Sequence, residues 1–132
     1  MRPVRHATFA VAAAFTLAMS AAFTLAMPGA ANAAPSAWGD DCPSSYFCVW
    51  DGYSGAGHIC KWQDDSYNWY EECSWADSAH PKSVYNHGTS GLGVRLYRYP
   101  AMQSEIGDCV TKGKKVNLAG NYFIGSHEWN CY

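Results

Sequence analysis

The sequence predicts an all-β domain stapled by disulfides, and three observations predict it. Runs rich in Val, Ile, Tyr, Phe and Trp recur about every ten residues, separated by Gly, Ser, Asn and Asp, the pattern of short strands joined by tight turns. No apolar stripe of helical period is long enough to bury a helix of useful length. Six cysteines, at 42, 48, 60, 73, 109 and 131, form an even set in the part of the chain that follows an export signal.

That signal is read over residues 1–33. Arg2, Arg5 and His6 give a basic start, and the duplicated AAFTLAM at 13–19 and 21–27 lengthens the apolar run. An uncleaved membrane anchor is the rival reading. Pro28 and Gly29 break the run, and Ala31-Asn32-Ala33 supplies the small-x-small pattern that a signal peptidase cleaves. Residues 34–41 are then a short leader and 42–132 the domain. The exported part has 132 − 33 = 99 residues. A chain of that size buries roughly two thirds of the surface it exposes when unfolded, so cross-links of about 2–4 kcal/mol each are a large share of its stability.

Candidate strands follow in order: Tyr46–Trp50, His58–Gln63, Ser83–Asn86, Val94–Tyr99, Gly107–Thr111, Lys115–Leu118 and Tyr122–Ile124. DGYSG, NHGTSG and LAGN are the turn signals between them. Asp64 to Ala79 has no clear period and reads as a loop or a single helical turn pinned by Cys73. A weak repeat relates VWDGYSGAGHICK (49–61) to LYRYPAMQSEIGDCV (96–110). Two similar β units packed face to face would bury the aromatics between two sheets.

Charge excludes some partners. Removing Arg2 and Arg5 leaves seven Lys or Arg against eleven Asp or Glu, a net charge of 7 − 11 = −4. Such a chain attracts neither nucleic acid nor an anionic membrane. The run KGKK (112–115) is a local exception and reads as a solvated turn. With no apolar helix face, a monomer is expected.

The run CPSSYFCVW, then Tyr53-x-Gly55, then SVYN followed by His87-Gly88, resembles a family of secreted bacterial peptidase inhibitors. Its founding type inhibits thermolysin-like metalloproteinases and has a βγ-crystallin-like fold. The resemblance is good over about Cys42 to Val110 and poor over the last twenty residues. It implies a Greek-key sandwich of two similar β units. The first hairpin is tighter than the family pattern, because only two residues separate Trp50 from Tyr53. In the second unit the aromatic and glycine of the pattern are replaced at Met102 and Ser104. By resemblance Cys42 pairs with Cys48. Hairpin neighbours then suggest Cys60 with Cys73 and Cys109 with Cys131, one of fifteen possible connectivities.

The same resemblance implies an extracellular protease as partner and an inhibitory loop. In the metalloproteinase-inhibiting members a Cys-Val bond in a small disulfide loop occupies the enzyme's active site, and Cys109-Val110 stands in the corresponding place. Val110 would fill the enzyme's apolar pocket, with Thr111 and Lys112 extending the contact. Lys114 replaces the second cysteine of that loop, so the local clamp is missing. An ordinary strand cysteine beside a core valine is the competing reading of this pair. The Cys42–Cys48 loop keeps its clamp and is a second candidate surface.

Other chemistries are weaker. Asp40-Asp41-Cys42-Pro43-Ser44-Ser45 matches the letters of a βγ-crystallin calcium motif but stands at the wrong end of its unit. In the expected position Ser78, Ala79 and Lys82 replace the ligands, and calcium needs hard oxygens without a cation nearby. Asp40 and Asp41 therefore read as a soluble leader, and neither a metal nor a cofactor is implied. No nucleophile-and-base frame of an enzyme is present, and His127-Glu128-Trp129-Asn130-Cys131 has cysteine where a zinc protease has its second histidine. Trp62, Trp69, Tyr70 and Trp75 could form a stacking platform in an extracellular carbohydrate or cell-wall binding module. Buried aromatics with satisfied N–H groups are the competing reading.

Overall fold

The computed structural model describes residues 37–132, so the expected signal peptide lies outside the described residues. The described chain is all-β, with two antiparallel sheets. Seven strands follow one another: β1 (Phe47–Trp50), β2 (Ile59–Trp62), β3 (Ser83–Asn86), β4 (Gly93–Tyr99), β5 (Gln103–Val110), β6 (Lys115–Asn117) and β7 (Ser126–Cys131). One sheet has the order β2-β1-β3-β6 and the other β5-β4-β7. β6 leaves its sequence neighbours and joins the first sheet beside β3, an exchange compatible with a Greek key. Where a further strand would extend the second sheet beside β7, Ser66 makes a single bridge to His127.

β1 explains why its sequence is apolar on both faces. Phe47 and Val49 point into the core shared with Val84, Val94, Leu96 and Val110, while Cys48 and Trp50 point outward. The outer face is covered by Trp38, Cys42 and Tyr46. Asp41 Oδ2 accepts the indole N–H of Trp50 at 3.1 Å, and Lys115 Nζ donates to the Trp38 carbonyl. The described part of the expected leader is therefore packed against the sheet instead of being free in solvent, because β1 needs a cover on its second face.

Between β2 and β3 the poorly patterned stretch makes one helical turn, α1 (Trp69–Glu72), followed directly by Cys73. Asn68 caps it by accepting the Tyr70 N–H at 3.2 Å. The turn drives Trp69 into the core, where it is fully buried. Three disulfides close the domain: Cys42–Cys48, Cys60–Cys73 and Cys109–Cys131. At Gly93 the backbone passes so close to the last of these that a Cβ would lie 2.2 Å from Cys109 Sγ.

Two expected strands differ. Tyr122–Ile124 is not a strand, and the last strand is the polar SHEWNC of β7. Its Ser126 and His127 are fully buried, held there by hydrogen bonds that a propensity argument does not see. β5 begins at Gln103, four positions before the expected Gly107, because pairing with β4 carries the weak strand formers of QSEI into the ladder. The hairpin between them turns through Ala101 and Met102, both at positive φ, without the aromatic and glycine of the first hairpin.

Candidate functional site

One end of the sandwich gathers the loops that matter. The register places the start of β1, the end of β3 and the start of β6 side by side, through Phe47 opposite Asn86 and Tyr85 opposite Lys115. In the second sheet Val94 lies opposite Val110 and Gly93 opposite Cys131. Asn86, fully buried at the end of β3, joins the two sheets there. Its Nδ2 donates to the Val110 carbonyl at 2.8 Å and to the Leu92 carbonyl at 3.1 Å, and its Oδ1 accepts the Gly88 N–H at 2.9 Å. Its backbone N–H donates to the Lys114 carbonyl at 3.1 Å, and its carbonyl accepts the Gly113 N–H at 2.8 Å.

These bonds clamp the segment 111–114, which links β5 to β6. The turn is closed by Lys114 N–H donating to the Thr111 carbonyl at 3.0 Å, and Gly113 takes φ +77°, a left-handed value that suits glycine at the third turn position. Thr111, Lys112, Gly113 and Lys114 are all exposed. Lys114 stands where the resemblance expects a second cysteine, and the bonds to Asn86 hold the segment on both sides.

The expected reactive pair is placed differently from its two neighbours. Cys109 is half-buried and bonded to Cys131. Val110 is only 3% exposed, packs in the core and has its carbonyl taken by Asn86. The Val110 side chain fills the domain's own core, and in this arrangement it is not exposed to an enzyme's pocket. Thr111 and Lys112 are the exposed members of the set. The Cys42–Cys48 loop lies at the same end, with the Cys42 carbonyl 2.8 Å from His87 Nδ1 and Ser45 Oγ 3.1 Å from Thr89 Oγ1.

Of the four expected platform aromatics, two are buried and two half-buried. Trp69 and Trp75 are buried, and Trp62 stacks on Trp69 with ring centres 4.8 Å apart. Tyr70 is half-buried against the same core. Trp69 Nε1 donates to His127 Nδ1 at 2.8 Å and Trp62 Nε1 to Glu72 at 2.7 Å, so Trp62 and Trp69 spend their N–H groups on fixed partners, whereas the buried Trp75 Nε1 has no hydrogen-bond partner among the described residues. An indole only donates, so His127 Nδ1 accepts and its proton sits on Nε2, which donates to the Asp64 carbonyl at 3.0 Å. Burial pushes the His127 pKa down to about 3, the Asp64 contact opposing only part of that shift.

Among the described residues no group of three His, Cys, Asp or Glu side chains could hold a metal. The carboxylates of Asp40 and Asp41 go instead to the Ala37 N–H and to Trp50. Sequence reasoning missed Asn86 and the cleft that flanks it, lined by Asp64, Asp65, Thr89, Ser90 and Trp129. The only signal was the polar residue ending an apolar strand before His87-Gly88, which reads equally well as a solvated turn.

No curated protein matches the chain, and no solved structure does. A family model, peptidase inhibitor family I36, matches residues 33–109, up to Cys109 and short of the exposed turn. That match covers more than half of the chain and includes β1 to β4 with the first two disulfides. On this match, the chain belongs to peptidase inhibitor family I36.

Proposed function

We propose that the chain is an exported inhibitor of a thermolysin-like metallo-endopeptidase, acting as a monomer and presenting the turn Thr111–Lys114 to the enzyme's cleft. The clamp that Asn86 places on both sides of that turn carries the reading. A loop ordered before binding avoids the roughly 0.5–1.5 kcal/mol that each side chain frozen on association would otherwise cost. The anchors sit at the Val110 carbonyl on one side and at Gly113 and Lys114 on the other. Should the enzyme cut the Thr111-Lys112 bond, both new ends stay held by Asn86, and the severed chain remains in place as a poor product. Thr111 and Lys112 make the contact, while Val110 supports it from below. The signal-like residues 1–33 and three disulfides, which persist in oxidising surroundings, support export.

Titrating a thermolysin-like protease with the oxidised protein tests this reading. Inhibition that saturates near one-to-one supports it. Full protease activity at a large excess of folded protein rejects it. The carbohydrate-module alternative loses its support with the burial of Trp69 and Trp75.

A further inference from the structure

Beside the clamped turn, at the same end of the sandwich, is a cleft of about 460 Å³ between the 63–65 segment, the 88–92 loop and Trp129 of β7. Its walls are fixed from behind. His127 holds the Asp64 carbonyl at 3.0 Å, and Asp65 Oδ1 accepts the Trp129 N–H at 2.7 Å. Asn86 holds Gly88 and Leu92 on the opposite wall. A Cβ at Gly88 would lie 2.5 Å from the Trp129 ring, so the glycine lets the loop close onto the indole.

The chemistry of the lining is one-sided. Asp64 and Asp65 are exposed at the cleft, and Ser45, Thr89 and Ser90 add hydroxyls. The ion pairs among the described residues are His58–Asp51 and Arg95–Glu105, so neither carboxylate is neutralised by a cation of the domain itself. Trp129, half-buried, completes a lining of two carboxylates and an indole. That combination favours a guanidinium or ammonium over an anion or a neutral apolar group, through charge-assisted hydrogen bonds and cation–π attraction.

Charge is also distributed across this end. The turn and the strand after it carry Lys112, Lys114 and Lys115, while the cleft carries Asp64 and Asp65, with buried Asn86 bonded to the backbone of both regions. A partner seated on the turn meets positive charge on one side and negative charge on the other.

We propose that this cleft receives a basic side chain, arginine or lysine, from the inhibited protease, and that the pairing sets the orientation in which the enzyme docks on the turn. The inference rests on the inhibitor reading for its partner, but the cleft can be tested without any protease.

The test is an NMR titration of the exported, fully oxidised protein with N-acetyl-arginine methylamide, with N-acetyl-norleucine methylamide as control. The arginine amide is expected to shift the Asp64, Asp65 and Thr89 amides and the Trp129 indole resonance saturably, and the norleucine amide is not. The double variant Asp64→Asn with Asp65→Asn should weaken that binding at least about ten-fold while its amide spectrum stays dispersed. Asparagine keeps the acceptor that Trp129 needs, so loss of binding would not reflect loss of fold. Absence of saturable shifts at these residues, or equal shifts with norleucine, overturns the proposal. If the amide binds but no protease is inhibited, the inhibitor reading fails and the cation site stands. If a protease is inhibited equally by the double variant, the site has no part in docking and the proposal falls alone.

Discussion

Asn86 Nδ2 donates to the carbonyl of Val110 at 2.8 Å, across the gap between the two sheets, and this bond fixes where the exposed turn begins. The residue before the turn is thereby locked in the core, and the residues after it are held by the same asparagine's backbone. Side chain and backbone of a single buried residue together hold both sides of the turn.

Replacing that side chain should damage stability and inhibition together. Asn86→Ala leaves the Val110 and Leu92 carbonyls and the Gly88 N–H without their partner. Buried groups left unsatisfied cost about 1–3 kcal/mol each, partly relieved where water enters. A loss of about 2–4 kcal/mol is expected by urea unfolding. The 111–114 turn should also become susceptible to proteolytic nicking, seen by mass spectrometry.

Val110 and Lys112 should separate support from contact. Val110→Ala removes apolar volume from the core and is expected to cost about 1–3 kcal/mol in stability. Lys112→Ala, at an exposed turn position, should change stability by less than about 0.5 kcal/mol. Its inhibition constant should rise about ten-fold, since the lysine lies in the proposed contact. The reverse pattern, with Lys112 silent and Val110 controlling affinity without loss of stability, would return the reactive site to the Cys109-Val110 bond.

The comparison of these two residues shows what the sequence could disclose. β1, β3 and β4 were legible because their residues are apolar on at least one face and bounded by turn signals, and SVYN was placed to the residue. β7 was not, because Ser126, His127 and Glu128 enter the ladder through hydrogen bonds to Tyr99, Trp69 and Tyr97, partners remote in sequence. The resemblance pointed to positions 109–112 as candidates, but which of them faces solvent was not legible. The alternation that buries Val110 depends on its pairing with Val94, and the clamp depends on Asn86, twenty-four positions away.

His127 makes stability depend on pH. Its folded pKa is about 3 and its ordinary value near 6.5, so between those limits the unfolded chain binds a proton that the folded chain refuses. Lowering the pH through this window favours unfolding, and the stability contribution is fully present only above about 6.5. The expected loss is roughly 1.4 kcal/mol per pH unit between about 6 and 4. Urea midpoints at several pH values should fall on that slope, and the slope should flatten in His127→Gln.

Gly93 should tolerate no side chain. A Cβ there would lie 2.2 Å from Cys109 Sγ and 2.9 Å from Cys131 Sγ. Gly93→Ala should leave two free thiols after oxidation, counted by thiol labelling. Loss of that bridge, whose cysteines are 22 positions apart, should cost about 3 kcal/mol.

The most direct measurement is a side-by-side titration of a thermolysin-like protease with the wild-type protein and with Thr111→Gly combined with Lys112→Glu, both oxidised and shown to be folded. The clamped turn as inhibitory element predicts near-stoichiometric inhibition by the first and inhibition at least about ten-fold weaker by the second. Equal inhibition by both would remove the turn from the contact, and no inhibition by either would contradict the proposed target.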